Sequence, residues 1–141
     1  FRGTPDMSDF LLDPRLAADS LFIADGPLSQ IRLMDDARYP WLLLVPRVAD
    51  IAEWIELDGN QQRLLLAEVN QAGKLVRAEP GVEKLNIGAL GNVVRQFHVH
   101  LVGRRAGDDA WPGPVWGNGS AERYAPAERE ARIEAGQLRL R

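Results

Sequence analysis

Gln96-Phe97-His98-Val99-His100-Leu101-Val102-Gly103-Arg104 is the stretch on which the reading of this chain turns. It holds both histidines of the protein, two residues apart in an apolar run. Side chains alternate faces along a strand, so Gln96, His98 and His100 line one face while Phe97, Val99 and Leu101 line the other. Two imidazoles and an amide on one strand face form a polar row suited to an anion, and a neutral imidazole is also a nucleophile. By itself the pair allows three readings: a half-buried polar face, a metal site, or a catalytic centre. A metal site usually needs three or more protein ligands. The chain has no third histidine and no cysteine, so a carboxylate would have to complete it.

Working outward, residues 94–102 read as one strand and residues 82–87 as the strand before it, separated by Gly88-Ala89-Leu90-Gly91-Asn92. Upstream, Asp58 can cap a long helix from Gly59 to about Ala78, stopped by Pro80-Gly81. Leu64, Leu65, Ala67 or Glu68, Ala72, Leu75 and Val76 recur there at helical spacing and give it one apolar face. Residues 50–57 suggest a helical turn or two. Residues 41–45 are continuously apolar, as in a strand buried on both faces. Residues 29–34 carry an extended pattern with Ile31 and Leu33, after the turn signal Asp25-Gly26-Pro27 and the short apolar run 21–24. Asp13-Pro14 reads as an N-cap with proline at the first helical position, opening a short helix to about Asp19. Downstream, residues 103–119 form a loop rich in Gly, Pro and Trp, and Pro126, Glu128 and Glu130 open a C-terminal helix. About five strands, one dominant helix and minor helices make an α+β layout.

The 141 residues suit one domain, placed at residues 8–141, with 105–141 its C-terminal loop and helix. Residues 1–7 are set outside it, with Met7 read as the natural start. The 45% apolar and 26% charged composition is that of an ordinary globular protein. The absence of cysteine excludes disulfides, thiolate zinc sites and cysteine nucleophiles, and fits a cytoplasmic setting. Net charge is −3 with no basic stripe, which argues against a nucleic-acid polymer as partner. No apolar run is long enough to cross a bilayer, and neither a Gly-x-Ser-x-Gly elbow nor a Gly-x-x-x-x-Gly-Lys loop is present.

The segment from Asn86 through Gly91 to His98-Val99-His100-Leu101-Val102 resembles the signature of the histidine triad (HIT) superfamily: an Asn, a Gly-containing loop, then His-φ-His-φ-His-φ-φ, where φ is apolar. The order of elements from about Ser8 to Arg104 is similar too. Carried over by position, His98 matches the middle histidine, the family's nucleophile, and His100 the third. Gln96 stands where the first is expected, making the motif Gln-x-His-x-His. Asn86 matches the family asparagine and Gly91 the glycine of the phosphate-binding turn. Asn92-Val93 replaces the usual Gln-Ser, and Pro40-Trp41 replaces the usual Gly-His. Asp35 is the nearest match to the ribose-binding acid, with Asp36 a competitor. Apart from the resemblance, Arg104 and Arg105 read either as phosphate ligands or as solvated or paired with acids such as Asp108 and Asp109.

The resemblance implies a five-stranded antiparallel sheet, dimerised into a ten-stranded one across the long helix and the strand near 82–87. It also implies a purine nucleotide cleaved at the α-phosphorus through a nucleotidyl-histidine, without metal or cofactor. An amide cannot deliver a proton at neutral pH, so Gln96 points to phosphate-type leaving groups and dinucleoside polyphosphates over phosphoramidates. A nucleotide-binding module with little catalysis is the competing expectation. Trp111 and Trp116 are read either as loop packing or as contacts to nucleotide or partner subunit.

Overall fold

The structure is a computed structural model that describes residues 9–140. Residues 1–8 and 141, including the proposed start at Met7 and both proposed limits of the domain, lie outside the described residues. A short helix α1 (Pro14–Asp19) is capped by Asp13, whose carboxylate accepts from the Arg15 N–H. Strands β1 (Ser20–Asp25), β2 (Ser29–Met34) and β3 (Trp41–Pro46) follow as a meander. Helix α2 (Gly59–Arg77) begins at Asp58, whose side chain accepts from the Gln61 N–H while Gln61 accepts from the Asp58 N–H. This reciprocal cap satisfies two amides that the first turn leaves free. Strands β4 (Lys84–Gly88) and β5 (Val99–Arg104) and helix α3 (Pro126–Arg139) complete the fold.

The five strands form one antiparallel sheet in the order β1-β2-β3-β5-β4. Its two faces differ in what covers them. Ile31, Leu33, Leu42, Leu44, Val99 and Leu101 meet Leu65, Val69, Ala72 and Val76 of α2 in the main core. Of the two residues left open by helical spacing, Glu68 points inward and Ala67 outward. The Glu68 carboxylate accepts from the Leu28 and Ser29 amides at 3.0 Å, tying the β1–β2 turn to α2. The opposite face carries Trp41, Leu43, Val45 and Val102, covered by Phe10, Leu12 and Leu16 on one side and by Ala110, Val115 and Trp116 on the other. His98 and His100 belong to this second face.

The bounds of two strands differ from the sequence reading, each for a backbone reason. The strand expected over 82–87 starts at Lys84, because the Val82 amide closes a turn onto the Glu79 carbonyl. The strand expected over 94–102 runs from Val99 to Arg104, because the Phe97 amide donates to the Ile51 carbonyl and not to the ladder. Residues 50–57 hold one 3-10 turn, Trp54–Glu56, closed by a Glu53–Glu56 capping box. Helix α3 continues through Gly136, which lies against Ile23 of β1. No helix among the described residues is long and apolar enough to cross a membrane.

Candidate functional site

His98 sits one residue before β5 and His100 lies on it, opposite Leu43 of β3 and Gly88 of β4. The two rings are 4.9 Å apart between centroids and inclined at 72°. His98 Nδ1 donates to the Gln96 carbonyl at 2.6 Å. A carbonyl only accepts, so Nδ1 carries the proton and Nε2 keeps a free lone pair in the neutral ring. His100 Nδ1 lies 3.0 Å from Trp41 Nε1. Burial, and then the neighbouring His98, push the His100 pKa from 6.5 down to about 3.

Two indoles wall this pair. Trp41 lies 5.6 Å from the His100 ring and Trp116 lies 5.4 Å from it, with the indoles 6.5 Å apart and nearly perpendicular. Trp116 rests on Gly88, where an added Cβ would come within 2.9 Å of the indole. Beside His100 a cleft of about 320 Å³ opens between Met34, Asp35, Asp36, Arg38, Trp41, Trp116 and Arg123.

A HIT domain model matches residues 15–107, two thirds of the chain. The chain belongs to the HIT domain family. Three solved HIT proteins share the fold across nearly the whole length. A histidine triad protein from Sinorhizobium meliloti is 46% identical, with a TM-score of 0.90, covering 96% of this chain and 100% of its own. One from Bradyrhizobium japonicum is 42% identical at a TM-score of 0.89, covering 94% and 98%. One from Marinobacter aquaeolei is 42% identical at 0.87, covering 93% and 96%. Among curated proteins, none matches.

Within this HIT fold the residues singled out from sequence divide into two groups. His98 and His100 come together, and Gly91 turns the preceding loop with a φ of 69°, a conformation that favours glycine, leaving Asn92 exposed beside it. The others have different partners. The Gln96 amide faces the N-terminal segment: Oε1 accepts from the Asp13 N–H and Nε2 donates to the Leu11 carbonyl, both at 2.8 Å. The amide expected in the imidazole row is thus engaged by the N-terminal segment. Arg104 is 1% exposed and forms a two-point ion pair with Asp108 at 2.8 and 2.9 Å. Its guanidinium also donates to Asn86 Oδ1 at 2.8 Å and lies 5.7 Å over the rings of Tyr39 and Trp111. Arg104 is therefore a buried pin, and Asn86 Oδ1 faces it. Hydrogen bonds from Arg104 hold the Asp108 carboxyl below the usual carboxylate range.

Asp35 accepts from the Tyr124 amide and from Arg123, each at 3.0 Å. Asp36 accepts from the Arg38 backbone and guanidinium and from the Glu122 amide. Both acids hold the segment that leads into α3, and neither leaves a free carboxylate toward His100. Sequence reasoning missed Met34, Arg38 and Arg123 as cleft residues. Arg123 carries no local signal at all, because its partner lies 88 residues away. Trp41 did carry one, as the tryptophan where the family has histidine. Among the described residues no group of three or more His, Asp or Glu side chains is gathered to hold a metal.

Proposed function

We propose that this protein is a nucleotide hydrolase or nucleotidyl transferase that acts at an α-phosphate through a covalent nucleotidyl-His98. One observation carries the reading: the His98 Nδ1–H donates to the Gln96 carbonyl, so the Nε2 lone pair is free on the strand end beside His100. A ring fixed in this way is oriented before substrate arrives, which is where most of the gain from proximity lies. Nε2 attacks phosphorus, the P–N bond forms as the P–O bond to the leaving group breaks, and water later cleaves the P–N bond. His100 and the backbone amides near Gly91 and Asn92 supply hydrogen bonds to the phosphoryl oxygens. No metal takes part in this scheme. A purine nucleotide with a phosphate-type leaving group, as in a dinucleoside polyphosphate, is the proposed substrate.

The proposed working form is a homodimer. The outer edge of β4 has no strand partner among the described residues, and the exposed Ile87 of β4 shares a groove there with Val69 and Gly73 of α2. A second reading, a nucleotide-binding module with little turnover, is favoured by one specific observation: both acids that could read a ribose diol are engaged by residues 122–124.

The test is release of AMP from a diadenosine polyphosphate and from adenosine phosphoramidate, with and without EDTA, beside His98→Ala. EDTA-resistant release from the polyphosphate, lost in the variant, is expected. Nucleotide binding without release would favour the module, and faster release from the phosphoramidate would reverse the substrate preference.

A further inference from the structure

We infer that Trp41 is a positioning residue that holds His100 as the neutral Nε2–H tautomer, leaving the site a fixed hydrogen-bond donor and no side-chain acid at the leaving group. An indole nitrogen only donates. At 3.0 Å from Trp41 Nε1, His100 Nδ1 therefore carries a lone pair, and the proton of the neutral ring is on Nε2. Protonating Nδ1 would lose this bond and set two N–H groups head to head in a buried place. Trp41 and Trp116 flank the ring, so it has little room to turn away from the arrangement.

The other ionisable groups around His100 do not replace the missing acid. His98 is the proposed nucleophile. From the end of α1 comes Asp19, 3.8 Å from Arg123; from the β2–β3 loop come Asp35, Asp36 and Arg38, and from the segment before α3 comes Arg123. Asp36 is paired with Arg38 at 2.9 Å and Asp35 with Arg123 at 3.0 Å. The Gln96 amide is turned to Leu11 and Asp13.

Resting on the nucleophilic role proposed for His98, this arrangement assigns a substrate class. The bond broken is a P–O bond whose oxygen departs as an anion without taking a proton, as in a phosphoric or carboxylic anhydride of a nucleotide. Amidates and simple esters need a proton at the leaving atom and fall outside it. His98 Nε2 forms the P–N bond as the anhydride oxygen leaves with its electron pair. Water then breaks the P–N bond and its proton passes to solvent.

The experiment is nitrogen NMR on the uniformly 15N-labelled protein at neutral pH. A through-hydrogen-bond coupling between Trp41 Nε1 and His100 Nδ1, with the His100 proton on Nε2, is expected. Its absence would overturn the inference without any variant. In Trp41→Phe the coupling disappears and the His100 titration rises by about one pH unit, the worth of one net hydrogen bond. An unchanged titration in a folded Trp41→Phe protein would also overturn it. Turnover is scored separately: the coupling present with no AMP release from any nucleotide sinks the hydrolase reading and leaves Trp41 in its role. The coupling present with a phosphoramidate cleaved as fast as an anhydride removes the substrate class.

Discussion

Acidification from pH 7.5 to pH 5.0 should cost this protein about 2 kcal/mol of stability through His100 alone. His100 titrates near 6.5 in the unfolded chain, and burial beside His98 lowers it to about 3 in the folded protein. Between those values the unfolded state binds a proton that the folded state refuses, so stability falls as pH falls. The contribution is complete above pH 6.5 and is lost progressively down to about pH 3. At pH 5 the difference amounts to roughly 1.5 pH units at 1.36 kcal/mol each. For a chain of this size that corresponds to a drop of roughly 5–10 °C in melting temperature. The carboxyls of Asp36 and Asp108 are held low, and their stabilisation is lost only as pH falls below about 3.9, the unfolded value. They therefore do not contribute in this window. The assay is urea unfolding at several pH values, with His100→Asn as the control. The asparagine Oδ1 can still accept from Trp41 Nε1 but cannot titrate, and His98 is common to both proteins. Wild type should show the slope and His100→Asn should lack it. Parallel stability curves for the two proteins would refute the argument that His100 is buried in its neutral form.

Three further outcomes are expected. Asp108→Ala strands the Arg104 charge in a site 1% exposed, so the urea midpoint should fall by the equivalent of about 3–5 kcal/mol; a surface-like loss under 1 kcal/mol would contradict the assignment of Arg104 as a buried pin. Gly88→Ala places a methyl 2.9 Å from the Trp116 indole, which should cost about 1–3 kcal/mol and shift tryptophan fluorescence as the ring leaves His100; an unchanged spectrum would show that the two do not touch. Gln96→Ala frees the Asp13 amide and Leu11 carbonyl, so hydrogen exchange at Asp13 should accelerate while AMP release persists. Loss of turnover with Asp13 still protected would return Gln96 to the catalytic row.

The sequence alone determined the elements whose patterns are local. Strand β2 was legible because Ile31 and Leu33 alternate between turn residues, and α2 because Asp58 starts an apolar helical period that Pro80 ends. The histidine spacing put both rings on one face, and Asn86, Gly91 and the two histidines pointed to the HIT family. Tertiary structure decided what those rings and their neighbours meet. Trp41 reaches His100 across 59 residues, Gln96 reaches Asp13 across 83, and Asp35 reaches Tyr124 across 89. A periodic pattern reports which side of a strand a residue occupies, since backbone geometry alone sets that. It does not report which distant segment covers that side. For the polar residues of this site the covering segment decides everything. A buried amide, carboxylate or guanidinium must be satisfied by whatever donor or acceptor lies opposite, and here those partners are Leu11 and Asp13 for Gln96, Arg123 and Tyr124 for Asp35, and Asp108 for Arg104.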